Sequence, residues 1–337
     1  MKYPSFLKIN DLIGVPAPSA GASDEFKKKK YKNADKYFKS NGYRTLLSKN
    51  INKNYRGRSA DAKTRAEELN EMFKSKDVDF MLCAAGGEFL IETLPYIDFS
   101  LLKENPKYVC GFSDPTGLLY PITTKYDIAT IYGSNFSAFG EDTFYDCHLD
   151  FLDIITGKKL EEDSYEKYEN ERIERVTGLE GLNLTEPVYW HTLDDKDISI
   201  DGRIIGGCMD IIAELAGTKY DGIKEFNKKY KNDGIIWYFD NCELSMEEVI
   251  RALWKMNELE YFKYTKGVIF GRFGVETTFN DYNVKTCLED SVLNELNIPI
   301  IYDADVSHKG PSLTIINGSI AHIDCSNGKG KIEFSLE

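Results

Sequence analysis

The sequence predicts an α/β protein of two domains, and three observations lead to this fold class. Its 337 residues are about twice the ~150 residues of an average domain. In the first half, short apolar runs alternate with helical stretches, which is typical of an open, mainly parallel sheet with helices on both faces. In the second half, short β-like runs are interleaved with helices and end in a hairpin pattern, which indicates a mixed α/β domain.

Local patterns define the elements of the first half. The apolar run at residues 11–17 (DLIGVPA) predicts a strand, which prolines end. Apolar residues then recur at spacings of three and four over residues 23–41, which predicts a helix. A second amphipathic helix is predicted over residues 60–74, and a buried strand follows at residues 78–85. The run YVCGF at residues 108–112 predicts a further strand that enters a tight turn.

A stretch dense in charge at residues 157–175 marks the domain boundary, because it has almost no aliphatic side chains with which to build a core. We therefore predict an N-terminal α/β domain at residues 1–160, a charged linker at 161–185 and a C-terminal domain at 186–337. The C-terminal domain has predicted strands at residues 198–205, 234–239 and 267–270 and predicted helices at residues 208–215, 245–256 and 285–296. Asn317-Gly318 between apolar runs predicts a β-hairpin over residues 313–323.

The composition and the charge of the chain exclude several classes of binding partner. There are 42 Lys and Arg against 55 Asp and Glu, so the net charge of −13 repels phosphate backbones, and we expect no nucleic-acid partner. No run approaches the ~18 apolar residues of a membrane span and no secretory signal opens the chain, so we expect a cytoplasmic protein without a membrane partner. The seven cysteines form no CxxC pair, and no ligand cluster has metal-binding spacing. We expect neither a metal nor a cofactor.

The first candidate site residue is Ser113, in the sequence CGFSDPT at residues 110–116. An apolar strand runs into a turn that begins with glycine and holds the serine at its apex, and a helix can start at Thr116. This arrangement lifts a hydroxyl out of the sheet, as in a nucleophile elbow. The same residues also fit a helix N-cap followed by a proline at the helix start, so the serine has a purely structural alternative.

Two further turns lie at the ends of predicted strands. Gly86 and Gly87 allow backbone N–H groups to approach a ligand closely, which suits an oxyanion hole, although a plain tight turn would have the same pair. His308 lies in a loop bounded by Gly310 and Pro311 after a buried strand, where open α/β sheets place functional side chains. Among the four histidines it is the best candidate for a general base, and an exposed loop histidine is the alternative.

The acid that would orient this histidine has two candidates. The strand WYF at residues 237–239 ends in Asp240, and Glu243 follows three residues later, just before a predicted helix. Glu243 could instead place a negative charge at the helix start, which is a common use of such a residue.

Seven segments, in chain order, resemble the family of LD-carboxypeptidases and microcin-immunity-type serine peptidases. They are residues 7–19 (LKINDLIGVPAPS), Gly86-Gly87 with residues 94–98 (LPYID), residues 111–116 (GFSDPT), residues 202–207 (GRIIGG) with 215–218 (LAGT), the strand that ends at Asp240, residues 267–272 (GVIFGR), and residues 308–311 (HKGP). The resemblance covers nearly the whole chain. Each segment alone is weak, but seven in order are hard to obtain by chance.

The resemblance implies a metal-independent, homodimeric hydrolase of two domains. In it Ser113 is the nucleophile, His308 the general base, and the backbone N–H groups near Gly87 and Asp114 form the oxyanion hole. Such enzymes cleave an amide next to a free carboxylate. The LD-carboxypeptidases release a terminal D-alanine from murein tetrapeptides, and the microcin-immunity branch cleaves aminoacyl-nucleotide analogues, so the implied partner is a small peptide or peptidyl-nucleotide substrate.

Two departures from the family pattern leave the activity open. Asp240 stands where the family usually has glutamate, and Cys208 stands where asparagine is common. Asp240 is favoured over Glu243 as the acid because the motif register points to it and aspartate serves in other triads. The chain length and Trp237 favour the microcin-immunity branch. A catalytically inactive relative that binds a small molecule or peptide is the alternative function.

Overall fold

The computed structural model describes residues 1–174 and 176–337. The chain divides into two compact units: the first comprises Met1–Lys159 and Ile173–Gly181, and the second comprises Leu160–Arg172 and Leu182–Glu337. The segment 161–185, predicted as a linker, therefore contributes residues to both units. Arg175, which belongs to that segment, lies outside the described residues.

The first unit is built on a parallel sheet. Its strands are β1 (Leu12–Val15), β2 (Arg44–Leu47), β3 (Phe80–Leu82), β4 (Val109–Gly111) and β5 (Thr130–Tyr132). Its helices are α1 (Glu25–Ser40), α2 (Ala62–Lys74), α3 (Ser100–Glu104), α4 (Thr116–Tyr126) and α5 (Asp146–Ile155), with 3-10 helices at Leu90–Tyr96 and Phe136–Gly140. The strands lie in the order β5-β4-β3-β1-β2, and each of these pairings is parallel.

Apolar periodicity and capping explain the long helices of this unit. Along α1, Tyr31, Ala34 and Phe38 recur at three- and four-residue spacing, and all three are buried. The Asp24 side chain accepts a hydrogen bond from the backbone N–H of Lys27 at 2.8 Å and so caps the helix start. The strand–helix alternation and the parallel sheet predicted for the first half are confirmed.

The second unit contains a mixed sheet of eight strands among the described residues. The strands of this unit are β6 (Glu161–Asp163), β7 (Lys167–Tyr168), β8 (Glu186–Pro187), β9 (His191–Thr192), β10 (Ile198–Cys208), β11 (Ile235–Asp240), β12 (Thr265–Gly271), β13 (Ile300–Ala304), β14 (Ile315–Asn317), β15 (Ile320–Ser326) and β16 (Lys329–Ser335). The sheet order is β6-β16-β15-β10-β11-β12-β13-β9. The central pairs from β10 to β13 are parallel and the outer pairs are antiparallel, so the predicted mixed domain is confirmed.

The helices of the second unit are short except for one. They are α6 (Met209–Leu215), α7 (Ile223–Lys229), α8 (Met246–Glu258), α9 (Val284–Glu289) and α10 (Val292–Glu295). Ser245 and Glu248 form a reciprocal capping box at the start of α8, which explains why the longest of these helices begins there. The single helix predicted at residues 285–296 is interrupted by Asp290 and Ser291 and forms α9 and α10 instead.

The hairpin predicted at Asn317-Gly318 is wrong. The neighbours of β15 in the sheet are β10 and β16, so the hairpin partner of β15 is β16. The turn between them is a second Asn-Gly pair, in which Asn327 has φ 50° and Gly328 has φ 75°. A type I′ turn requires positive φ at both central residues, and this second pair meets the requirement.

Both units carry their candidate site residues at the carboxyl ends of parallel strands. In the first unit, the turns that follow β3 and β4 hold Gly86 and Ser113. In the second unit, Asp240 ends β11 and His308 follows β13. Loops at this edge of an open α/β sheet are the usual place for binding and catalytic groups, because the strands fix their starting points. All seven cysteines are free thiols, and no helix in the described residues is long and apolar enough to cross a membrane.

Candidate active site

Ser113 lies at the apex of a strained turn between β4 and α4. Its φ of 72° falls in the left-handed region, which costs a residue with a side chain about 1–2 kcal/mol. Its carbonyl accepts a hydrogen bond from the backbone N–H of Thr116 at 2.9 Å, which closes the turn onto the first residue of the helix. The side chain is half-buried at the end of the strand. A backbone held in this conformation is the strand–turn–helix arrangement that the sequence predicts.

Neighbouring strands hold the Ser113 turn in place. The side-chain amide of Asn135 exchanges two hydrogen bonds of 3.0 Å with the backbone N–H and carbonyl of Phe112. The backbone N–H of Ser113 donates to the hydroxyl of Tyr132, at the end of β5, at 3.3 Å. Local strain of this kind persists only where the surroundings fix it, and these contacts supply that constraint.

The turn at Gly86 and Gly87 approaches Ser113 closely. A Cβ atom on Gly86 would lie 3.1 Å from Cβ of Ser113. Gly87 has φ 153°, and a Cβ atom there would lie 2.4 Å from Oγ of Ser19. Both the conformation and the lack of space at Gly87 exclude a side chain, so the two glycines bring the backbone beside the serine.

The backbone N–H groups of Gly87 and of Asp114, the residue after the serine, have no hydrogen-bond acceptor among the described residues. Most backbone N–H groups in folded proteins are paired, so donors without an acceptor beside a hydroxyl are well suited to bind an oxygen atom of a ligand. The first unit thus brings Ser113, Gly86, Gly87 and Asp114 together.

The side chain of Asp114 braces the same turn from inside. It is 1% exposed, and its Oδ2 atom accepts hydrogen bonds from the hydroxyl of Ser19 and from the backbone N–H of Leu90, the latter at 3.0 Å. Burial raises the pKa of Asp114, while these hydrogen bonds lower it. The role of Ser19 could not be predicted, because nothing in the local sequence pattern links it to a residue 95 positions away.

In the second unit, Asp240 and His308 are in direct contact. The Oδ1 atom of Asp240 lies 2.9 Å from Nδ1 of His308 and 3.1 Å from the backbone N of His308. Asp240 is fully buried as the last residue of β11, and the His308 side chain is 13% exposed. This geometry places the hydrogen of the neutral imidazole on Nδ1 and the lone pair on Nε2.

The electrostatics of His308 reflect this carboxylate. Burial lowers the pKa of His308, but the charge and the hydrogen bond of Asp240 raise it well above the ordinary histidine value, with a smaller hydrogen bond from Cys242 in the same direction. The imidazolium form is therefore strongly stabilised by its partner. Such stabilisation is what an acid provides to a histidine that takes up a proton during a reaction.

Glu243 does not take part in this contact. Its side chain is exposed in the turn after β11. The carboxylate of Asp210 holds that turn, because it accepts hydrogen bonds from the backbone N–H of Cys242 at 3.0 Å and of Glu243 at 2.9 Å. Cys208 is buried beside Asp240 in the register of β10 and β11, and its thiol lies 3.5 Å from Oδ2 of Asp210. The role of Asp210 could not be predicted, because it contacts residues 32 and 33 positions away in the sequence.

A buried ion pair supports the loop that carries His308. The Arg272 guanidinium lies 2.6 Å from Oδ1 of Asp305, and the indole N–H of Trp190 donates to Oδ2 of Asp305 at 2.9 Å. Arg272 also donates to the carbonyls of Lys309 at 3.0 Å and Pro311 at 3.1 Å, on the far side of the histidine in the chain. Two segments that flank His308 are therefore fixed to one guanidinium, which a planar fork of donors allows.

Within residues 1–174 and 176–337, no group of three or more His, Cys, Asp or Glu side chains is arranged to hold a metal ion.

Comparisons with known proteins identify one family domain in each half of the chain. Residues 13–133 match the family model described as the LD-carboxypeptidase N-terminal domain, and residues 201–323 match the model described as the LD-carboxypeptidase C-terminal domain.

Similar proteins match over almost the full chain. A putative carboxypeptidase of Vibrio cholerae is 28% identical, with 99% of this chain and 98% of that protein covered. The microcin C7 self-immunity protein of Escherichia coli is 26% identical, with 95% of this chain and 92% of that protein covered, and it has been solved in complex with aspartyl sulfamoyl adenosine. The crystal structure of a microcin-immunity-like protein from Bacillus anthracis is 26% identical, covers 100% of both chains and has a TM-score of 0.83.

Proposed function

Because the chain belongs to the LD-carboxypeptidase family and is a hydrolase, we propose that it cleaves an amide next to a free carboxylate with Ser113, His308 and Asp240 as its catalytic triad. Ser113 is the nucleophile, His308 the general base and Asp240 the acid. The observation that carries this proposal is the buried contact between Asp240 and Nδ1 of His308. It orients the imidazole with Nδ1 towards the acid, so that Nε2 is the nitrogen that exchanges the proton with the serine.

The reaction is acyl transfer through a covalent intermediate. His308 takes the proton of the Ser113 hydroxyl as the oxygen attacks the substrate carbonyl, and Asp240 stabilises the imidazolium that forms. The N–H groups of Gly87 and Asp114 donate to the oxyanion of the tetrahedral intermediate. The C–N bond then breaks as His308 gives its proton to the leaving amine. Water repeats the sequence at the acyl-enzyme, releases the acid and restores the serine.

Burial favours Asp240 over Glu243 as the acid. Asp240 sits inside the sheet in contact with the imidazole, whereas Glu243 is exposed in the following turn. Aspartate is one methylene shorter than the glutamate usual in the family, and the backbone N–H of His308 also donates to Asp240. The short acid is thus matched by a close approach of the histidine's own backbone.

Two substrate classes fit a hydrolase of this family. One is an aminoacyl nucleotide analogue, of the kind bound by the self-immunity relative, and the other is a murein tetrapeptide with a terminal D-alanine. We propose the aminoacyl nucleotide as the first substrate to test, on the basis of the full-length similarity to that relative. Trp237 does not contribute to this choice, because it is fully buried against Phe239 and Tyr261.

The deciding experiment compares the parent protein with Ser113→Ala. Each is incubated with aspartyl sulfamoyl adenosine and, separately, with an L,D-murein tetrapeptide, and the products are identified by mass spectrometry. Cleavage by the parent alone supports the triad and selects the substrate class. Equal cleavage by Ser113→Ala excludes the serine as nucleophile. Binding by calorimetry without turnover in the parent favours the alternative of a catalytically inactive binding relative.

Family membership also leads us to propose a cytoplasmic homodimer. Light scattering coupled to size-exclusion chromatography measures the mass of the particle directly. A mass of one 38.4 kDa chain at working concentration contradicts the dimer.

A further inference from the structure

The second unit contains a cavity of about 370 Å³ beside the loop of His308. Lys309, the residue after His308, lies in its wall, and so does Arg272, which supports the loop. The cavity plays no part in the proton transfers described above. Because Lys309 follows His308 directly in the chain, the cavity adjoins the loop that carries the histidine, a position open to a part of the substrate that does not itself react.

One wall of the cavity is aromatic. The rings of His191 and Tyr302 stack with their centroids 5.0 Å apart and an interplanar angle of 18°, and the ring of Tyr189 lies 4.7 Å from His191. Tyr189 is 54% exposed, so its ring remains available to a ligand. The faces of such rings carry negative electrostatic potential, and they attract cations.

The charges of the cavity wall leave one carboxylate without a strong counter-ion. Each lysine and arginine of the wall pairs with a carboxylate: Arg272 with Asp305 at 2.6 Å, Lys309 with Glu276 at 2.9 Å, and Lys285 with Asp195 at 3.3 Å. The ion-pair contact of Asp303 is to an imidazole, with its Oδ2 atom 3.9 Å from Nε2 of His191. Each of these cations therefore has its own carboxylate partner, and Asp303 is the carboxylate of the wall with which a cationic group of a ligand can pair.

The environment of Asp303 is also unfavourable for an isolated negative charge. Its side chain is 32% exposed, and burial raises its pKa, with a smaller contribution from Glu276, while His191, Arg272 and Lys309 act in the opposite direction. A positively charged group bound against this carboxylate would offset its loss of hydration. The carboxylate and the aromatic wall therefore both favour a positively charged group on the ligand.

We propose that this cavity binds a primary ammonium group of the substrate, with Asp303 as its counter-ion and the rings of His191, Tyr302 and Tyr189 beside it. A volume of about 370 Å³ also accommodates the carbon chain that bears the amine. Aminoacyl groups and peptides both carry such an amine. That the ammonium belongs to the substrate rests on the proposed function, whereas the binding of an ammonium group at Asp303 does not.

The binding test uses a simple amine and its neutral counterpart on the full-length protein. The probes are 2-phenylethylammonium and 2-phenylethanol, titrated by ligand-observed NMR. Because only the ammonium probe offers a positive charge to the carboxylate, the parent is expected to prefer that probe by about tenfold or more. Asp303→Asn keeps the shape of the side chain and is expected to lose this preference. Asp194→Asn, an exposed carboxylate paired with Lys196, is the matched control and keeps it.

Equal affinity of the parent for the two probes overturns the proposal, and so does an ammonium preference that survives in Asp303→Asn. If Asp303→Asn does not fold, Tyr189→Leu tests the aromatic wall at an exposed position. This variant is expected to bind the ammonium probe several-fold more weakly than the parent. An unchanged affinity in that variant counts against the site.

A kinetic test connects the cavity to the substrate. With a cleavable substrate, Asp303→Asn is expected to raise KM about tenfold with little change in kcat, and N-acetylation of the substrate amine is expected to remove the difference between parent and variant. A variant that lowers kcat for both the free and the acetylated substrate assigns Asp303 a different role. If the parent cleaves nothing, the proposed function fails, while the titration of the two probes still decides the ammonium site.

Discussion

Asp240 accepts two hydrogen bonds from one residue, because both Nδ1 and the backbone N of His308 lie within 2.9 and 3.1 Å of its Oδ1 atom. One carboxylate oxygen therefore fixes the orientation of the ring and the position of the loop at the same time. A substitution at Asp240 consequently changes the protonation of His308 and the placement of its backbone together.

Asp240→Asn is expected to lower kcat on the order of 10⁴-fold, as the loss of the orienting acid does in other triads. Without the carboxylate, burial remains the main influence on the imidazole, so the pKa of His308 falls. The loss of activity on the acid side of the pH profile then moves to lower pH. Rates measured across the pH range with a cleavable substrate check both effects.

Glu243→Gln is the matched control for that variant. Its side chain is exposed, so we expect less than about a twofold change in kcat and an unchanged pH profile. A large loss here combined with an active Asp240→Asn would transfer the acid role to Glu243.

The His308–Asp240 pair is expected to make stability depend on pH. The folded-state pKa of His308 lies above its ordinary value near 6.5, so the stabilisation is fully present below about pH 6.5 and is lost as the pH rises through the folded-state pKa. The difference in unfolding free energy between the parent and His308→Gln is therefore larger at about pH 6 than at about pH 10. Urea denaturation at both pH values measures it. A difference that grows with pH contradicts the assigned direction.

Substitutions at Ser113 separate catalysis from backbone strain. Both Ser113→Ala and Ser113→Gly are expected to lose at least ~10³-fold in kcat, because neither has a nucleophile. Glycine adopts φ 72° without a steric penalty and alanine does not, so Ser113→Gly is expected to be more stable than Ser113→Ala by about 1 kcal/mol. Thermal and urea unfolding provide the comparison. If the serine were only a helix cap, both variants would remain active.

Gly87→Ala tests the turn that donates to the oxyanion, and Gly42→Ala, at a glycine outside the site, is its control. Gly87 and Gly42 both have positive φ, at 153° and 85°, so alanine is expected to destabilise either position by about 1 kcal/mol or more. Gly87→Ala alone is expected to lower kcat, by ~10²-fold or more, because it displaces a donor to the oxyanion. Equal activity of the two variants, measured at a temperature where both are folded, would remove Gly87 from the site.

Arg272→Lys retains the charge but not the planar set of donors. It loses contacts to Asp305 or to the carbonyls of Lys309 and Pro311, and we expect it to lower the free energy of unfolding by about 2 kcal/mol and to reduce kcat as the His308 loop loosens. Arg251→Lys, on the exposed face of α8, is the control, with an expected change under about 0.5 kcal/mol. Chemical denaturation of the two variants beside the parent measures the difference.

Local features of the fold could be predicted from the sequence, because the chain encodes them over a few neighbouring residues. The turn around Ser113 follows from an apolar strand, a glycine and a proline in succession, and α1 follows from its apolar spacing. An Asn-Gly pair alone does not determine which strands form a hairpin: the pair at Asn317-Gly318 predicts one wrongly, whereas Asn327-Gly328 has the backbone conformation of such a turn.

Partners distant in sequence could not be predicted in the same way. Asp240 ends β11 and Glu243 lies in the turn that follows, and they differ in burial and in contact with His308, neither of which the local pattern shows. The contact of Arg272 with Asp305 joins residues 33 positions apart, and that of Ser19 with Asp114 joins residues 95 positions apart. No periodicity encodes such pairs, since they depend on which strands become neighbours in the sheet.

Strand β6 has a consequence for any attempt to express the second half of the chain alone. It covers the outer edge of β16, with Asp163, Glu162 and Glu161 opposite Lys331, Ile332 and Glu333, and Oε1 of Glu162 accepts the backbone N–H of Thr314 at 2.7 Å. A fragment that starts at residue 186 lacks this strand and presents an unpaired edge. Bare edges recruit strands from other molecules. Such a fragment is expected to self-associate, and adding residues 160–172 in trans as a peptide is expected to restore a monodisperse species.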